Sequence, residues 1–197
     1  MKSFVLLFSV SILSLVLATP LQVSRPDPFN VQPILDKLAE IDKANQILPL
    51  ALTKEQIGKL LPKLEECRQN VRNQEKKEAD RLKALDKEIS QVLKDAEAGS
   101  VPPKEFLERM DKLFAAFENE RNGVKIANGI ILYKALHEIL NPGQKKIIVQ
   151  VVDQIYDVTL KQWKEGTEEA KIQFYALTVL MDDAGYKFLV KLNRSAK

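Results

Sequence analysis

Leu52-Thr53-Lys54-Glu55-Gln56 (LTKEQ) and Leu140-Asn141-Pro142-Gly143-Gln144 (LNPGQ) are one short phrase written twice, 88 residues apart. Thr53 and Asn141 belong to the residue types that accept a hydrogen bond from the free backbone N–H groups at a helix start. Gln56 and Gln144 stand three positions further on, where a side-chain amide can reach back to the cap's own N–H. That reciprocal arrangement is a capping box. Pro142 adds a residue suited to the first helical position. Leu52 and Leu140 precede the caps and are placed to pack on the first turn, at Ile57 and Lys145; only the first of these is apolar. Each phrase thus predicts a sharp helix start and fixes how the chain enters the helix.

Read outward from Thr53, no strong breaker occurs between Lys63 and Ala98. The expectation is one helix of about 45 residues, nearly 70 Å long at about 1.5 Å per residue. Pro62 predicts a kink, because its ring crowds the carbonyl of Gly58. Ile57, Leu60, Leu64, Cys67 and Val71 step by three and four, as do Leu82, Leu85, Ile89, Val92 and Ala96. Between them, Asn73 to Asp80 offers only Ala79, so the ends of this helix read as packed and its middle as water-facing. Gly99 to Pro103 is a turn. A second long helix is expected from Lys104 to Leu140, carrying Phe106/Leu107, Met110, Leu113/Phe114, Phe117, Val124, Ile131, Leu136 and Ile139/Leu140 on its apolar face. Gly123 and Gly129 weaken its middle by about 1 kcal/mol each relative to Ala. Two long helices joined by a short turn predict an antiparallel hairpin over residues 33–144.

The flanks complete an all-α reading. Phe4 to Ala18 is an uncharged, mostly apolar run behind Lys2, and Val16 and Ala18 suit a cleavage site, so residues 1–18 read as a signal peptide for export to a periplasmic or secreted location. Residues 19–32 carry three prolines and no period, and read as an extended arm. Pro33 opens a helix to about Leu48, with Ile34, Leu35, Leu38, Ile41 and Ile47/Leu48 on one apolar face. Residues 145–197 form an apolar helical extension, with Ile147, Ile148, Val151, Val152 and Ile155, then a break at Gly166-Thr167. Ile172, Phe174, Tyr175, Leu177, Val179 and Leu180 follow, and a last helix is capped by Asp182 and Asp183. This extension is expected to be buried on the hairpin, since exposed it would make a large apolar patch.

Composition and motifs exclude more than they assign. The 30 basic and 27 acidic residues give no nucleic-acid footprint. No Gly-rich phosphate loop, HExxH or GxSxG occurs, so no enzyme, cofactor or metal site is expected. His137, the single histidine, reads as a surface or packed residue. Cys67, the single cysteine, reads as a buried thiol on the apolar stripe, with an intermolecular disulfide as the alternative. Arg68, Arg72 and Lys76 recur at four-residue steps. Like charges at that spacing cost a few tenths of a kcal/mol each, about 0.2–0.5, so the stripe is a candidate surface for acidic or partly unfolded clients, against the plainer reading of a solvated face. The stripes at both ends of the long helix predict a homodimer.

The two phrases, the intervening Glu120-Arg121-Asn122, Ala127-Asn128 and Tyr133, and the lead-in Ile139-Leu140 resemble the LTXXQ-motif (Spy/CpxP-like) family of bacterial periplasmic proteins. The resemblance covers about Leu52 to Lys146. It departs at Asn141 and Gly143, where the family has Thr and Glu, and in the long extension after Lys146. It implies a curved dimer of helical hairpins and ATP-independent binding of unfolded or aggregation-prone envelope proteins. The alternative is an envelope regulator or structural adaptor, sensor-like in some relatives, that binds one folded partner.

Overall fold

The computed structural model describes residues 30–155 and 166–195; the signal-peptide reading, most of the arm before Val31, and residues 156–165 of the extension lie outside them. The described residues are helical and contain no strand. The helices are α1 (Gln32–Ile47), α2 (Lys54–Ala84), α3 (Asp86–Glu97), α4 (Lys104–Ile139), α5 (Pro142–Gln154), α6 (Glu168–Tyr175) and α7 (Asp183–Ser195). A 3₁₀ turn at Leu48–Leu50 follows α1, and a π turn at Ala176–Leu180 joins α6 to the last bend. The local signals act as their chemistry requires. Thr167 caps α6 through Ala170 N–H, and the Asp182 carboxylate accepts from the N–H groups of Ala184 and Gly185.

The expected 45-residue helix is two helices. α2 continues through Pro62, and the interruption falls at Leu85, where the backbone relaxes into a single tight turn before α3 resumes. Pro62 is exposed, so the carbonyl freed at Gly58 is on the side of the helix that meets water. Polar contacts fix the pairing of α2–α3 with α4. Asn70 meets Asn128, Glu78 meets Arg121 and Glu88 meets Arg109. The numbers rise on one side as they fall on the other, so the two strands of helix run antiparallel.

One apolar core holds the near end of this hairpin and the extension together. Ile57, Leu60, Leu64 and Cys67 of α2, Leu132 and Leu136 of α4, Ile148 and Val152 of α5, and Tyr175, Leu180 and Leu189 of the last elements share a single buried cluster. Each such Leu, Ile or Val contributes about 1.5–3 kcal/mol of burial. The extension is therefore core, as its periodicity required, and it closes over the stripe of α2. Close approach is needed in two places. A methyl at Gly129 of α4 would just touch Leu177, and a methyl at Gly185 would run into the Val179 carbonyl.

Two faces depart from expectation. The α1 residues Ile34, Leu35, Leu38 and Ile41 are all exposed; Ile47 is the one buried residue of α1. α1 meets the extension through another side: Lys191 of α7 bridges to Glu40, Lys43 donates to the Thr178 carbonyl of the π turn, and the Tyr175 hydroxyl of α6 donates to the Gln46 carbonyl. The second departure is the middle of α2. Gln74 and Glu78 are 6% and 5% exposed, so the stretch lacking apolar residues is packed rather than water-facing. Val71, expected on the stripe, lies at 36% exposure.

Candidate functional site

The repeated phrases form one unit. Both capping boxes close: Thr53 Oγ1 accepts from Gln56 N–H and Asn141 Oδ1 from Gln144 N–H, while each Gln accepts from its cap's N–H at 3.0 Å. The two glutamines then bond each other. Gln56 Nε2 donates to Gln144 Oε1 at 2.9 Å, and Gln144 Nε2 donates to Gln56 Oε1 at 3.0 Å. Gln56 also donates to the Ile139 carbonyl and Gln144 to the Leu50 carbonyl. The starts of α2 and α5 are thereby locked together, with Leu140 buried and Leu52 half-buried beside them. Two independent caps are what the sequence suggests; the geometry couples them.

Further along the hairpin, a polar clasp joins α2 to α4. The Asn128 amide donates to the Cys67 carbonyl, and Asn70 donates to Asn128 Oδ1. Glu78 accepts from Nε and Nη2 along one edge of the Arg121 guanidinium, and Gln74 donates to Glu120, which also pairs with Arg81 at 2.7 Å. The hydrogen bonds from Arg121 hold the Glu78 carboxyl below the usual carboxylate range, against the opposing effect of burial. Those from Gln74 and then Arg81 do the same for Glu120. Sequence reasoning missed Gln74, Glu78 and Glu120; the signal lay in Gln74 and Glu78 continuing the three-and-four spacing of Leu64, Cys67 and Val71.

The basic residues singled out on α2 do not act as one stripe. Arg68 is turned inward. It pairs with Asp183 at 2.7 Å, donates to the Met181 carbonyl and lies 4.5 Å over the Tyr186 ring, tying α2 to the start of α7. Arg72 folds back on Glu65 and Gln69 of its own helix. Lys76 is exposed. Cys67 is fully buried, with burial pushing its thiol up to about 11, so it presents no sulfur to a second chain. His137 stacks on Tyr133 and meets Lys145 Nζ at 3.0 Å on the surface. Among the described residues, no group of three or more His, Cys, Asp or Glu is placed to hold a metal ion, and no helix is long and apolar enough to cross a membrane.

What remains is the far arm of the hairpin. Beyond the clasp the extension no longer covers α2–α3 and α4, and α3 has no buried residue at all. Leu82, Leu85, Ile89 and Val92 on α2–α3 and Phe106, Met110 and Leu113 on α4 recur at three- and four-residue steps, the pattern of a seam between paired helices; all but Ile89 are half-buried, and Glu88 bonds Arg109 between the two helices. Leu93, Leu107 and Phe114 each directly follow a seam residue. In two antiparallel helices, such positions share one flank of the pair. All three are exposed, Leu93 at 58% and Phe114 at 51%, with the Phe114 ring set edge-on to Phe117. Glu88 and Arg109 precede seam residues, occupy the other flank and bond each other there. The arm is thus closed by an ion pair on one side and open and apolar on the other. No family model, no curated protein and no solved structure matches the chain.

Proposed function

We propose that this chain is a non-enzymatic protein-binding module of the cell envelope that holds unfolded or aggregation-prone proteins without nucleotide. The observation that carries this reading is the open flank of the distal arm. Leu93, Leu107 and Phe114 offer apolar contacts to a passing chain. Lys87, Lys94, Glu105 and Glu108 of the same two helices supply long charged side chains of both signs around them. Apolar patches rimmed by flexible charged groups re-pack around different partners, which gives breadth at the expense of affinity. The proximal core leaves the arm free for this use, because it satisfies its own apolar faces within one chain. The resemblance of the two capping phrases to the LTXXQ family, and the apolar run at Phe4 to Ala18, support the same function and an extracytoplasmic location. The protein works in this reading as a homodimer.

A second reading, an adaptor for one folded partner, is favoured by the fixed edge-on setting of Phe114 against Phe117, a shape suited to one complementary surface. The two separate in a light-scattering assay. The purified protein is added, without nucleotide, to three chemically unrelated aggregating clients. Dose-dependent suppression of all three near equimolar ratio supports the holding function. Suppression of none moves the assignment to the adaptor.

A further inference from the structure

We infer that two copies of this chain associate through α1, its exposed apolar face forming a short parallel two-helix coiled coil. The inference rests on the homodimer reading and names the surface that makes it. Val31, Ile34, Leu38, Ile41 and Leu48 are all exposed, Leu38 at 56% and Ile41 at 65%. They alternate in steps of three and four with Asn45, so positions 31, 38 and 45 and positions 34, 41 and 48 are the two core sets of a heptad repeat. The repeat spans the whole helix and its following turn. It adjoins the side of α1 that meets α7, where Glu40 bonds Lys191: Lys37 and Ile41 line a shallow groove with Phe188 of α7, and the rest of the stripe stays exposed beyond it. A surface helix of a single chain would turn such a stripe to the core; here the core is complete without it.

Two features select a second copy, and select its direction. Asn45 sits at a core position of the repeat, where a lone Asn fixes register at a cost in stability. Side by side in a parallel pair, the two Asn45 amides bond each other. In an antiparallel pair, Asn45 would face Ile34 and its amide would be stranded in an apolar layer. Lys37 immediately precedes core residue Leu38, and Asp42 immediately follows core residue Ile41. In a parallel pair these flank positions are neighbours across the seam, so Lys37 of each copy meets Asp42 of the other, twice by symmetry. The antiparallel arrangement would set Lys37 against Ala44 and Asp42 against Leu35, with no charge matched. A membrane surface is a poorer occupant: α1 carries Asp36, Glu40 and Asp42 against Lys37 and Lys43, and anionic lipid repels that excess.

Sedimentation equilibrium of the purified protein tests the assignment. The wild-type chain is expected to be dimeric at tens of micromolar. Leu38→Glu should weaken the dimer by about a hundredfold or more with an unchanged thermal melt, since Leu38 contributes nothing to the core of one chain. Lys37→Asp should weaken it about tenfold through two like-charge contacts, and adding Asp42→Lys to that variant should restore it. A wild-type dimer untouched by Leu38→Glu would overturn the inference while leaving the homodimer reading in place, with its contact elsewhere. A wild-type monomer would overturn both. Dissociation by Leu38→Glu without rescue by the charge exchange would overturn the parallel register.

Discussion

Removing Gln144 tests whether the two capping phrases are one structure. Gln144 is 7% exposed, and its side chain takes part in four hydrogen bonds: from Asn141 N–H, from and to Gln56, and to the Leu50 carbonyl. At about 1 kcal/mol per bond, with the Leu50 carbonyl left unpaired in a buried place, Gln144→Ala should cost about 3–4 kcal/mol. Gln56 is half-buried and loses its bonds to Thr53 N–H, the Ile139 carbonyl and Gln144; Gln56→Ala should cost about 2–3 kcal/mol. The amide–amide contact is common to both, so the double variant should cost about 1–2 kcal/mol less than the sum. Urea unfolding of the four proteins, followed by far-ultraviolet circular dichroism, yields the cycle when the transitions stay two-state and share one slope. Costs that add to within about 0.3 kcal/mol would refute the coupling and return the phrases to two separate helix starts.

Other sites should respond as their partners dictate. Arg68→Ala should lower stability by about 1–2 kcal/mol, through the lost Asp183 pair and Tyr186 stacking, whereas Lys76→Ala should leave the melt unchanged; a thermal melt of each decides whether Arg68 is structural. Glu78→Gln should cost about 1 kcal/mol, because the carboxylate is buried while Arg121 is 56% exposed and water screens the pair. Its folded-state pKa is depressed, so that stabilisation is present above the ordinary glutamate value of about 4.3 and is lost as pH falls through the lowered value; acid melts should show wild type and Glu78→Gln converging in this range. Gly185→Ala should cost about 3 kcal/mol or more, as its Cβ meets the Val179 carbonyl and the backbone must move; an unchanged melting temperature would contradict the packing of α7.

Much of this architecture is legible because its signals are local. Capping boxes at Thr53 and Asn141, the breaks at Pro103 and Gly166-Thr167, and the Asp182 cap depend on chemistry within a few residues. The burial of Ile148, Val152, Tyr175 and Leu180 follows from how many apolar side chains the extension carries. Periodicity misleads where burial depends on what is opposite. Ile34, Leu38 and Ile41 repeat as a core face does, yet their helix docks through Glu40, Lys43 and Ala44, and no spacing rule reports which side a neighbour takes. Gln74 and Glu78 look solvated because they are polar; Arg121 and Glu120, more than forty residues away, are what make them buried. The arm's open flank was hidden for the same reason. Leu107 and Phe114 read as part of the apolar face of α4 beside Phe106 and Leu113, yet both are exposed; the sequence spacing does not say how far a neighbouring helix reaches around that face.

The open flank is the centre of the functional account, and one measurement addresses it. A variant carrying Leu93→Ser, Leu107→Ser and Phe114→Ser is compared with wild type in the light-scattering assay, at equal concentration and with a client that wild type protects. All three side chains are exposed, so the variant should melt within a few degrees of wild type, as surface substitutions do. The account predicts that it loses most of its suppression while keeping its fold. Full suppression by the stable variant would contradict it and place the binding surface elsewhere on the molecule.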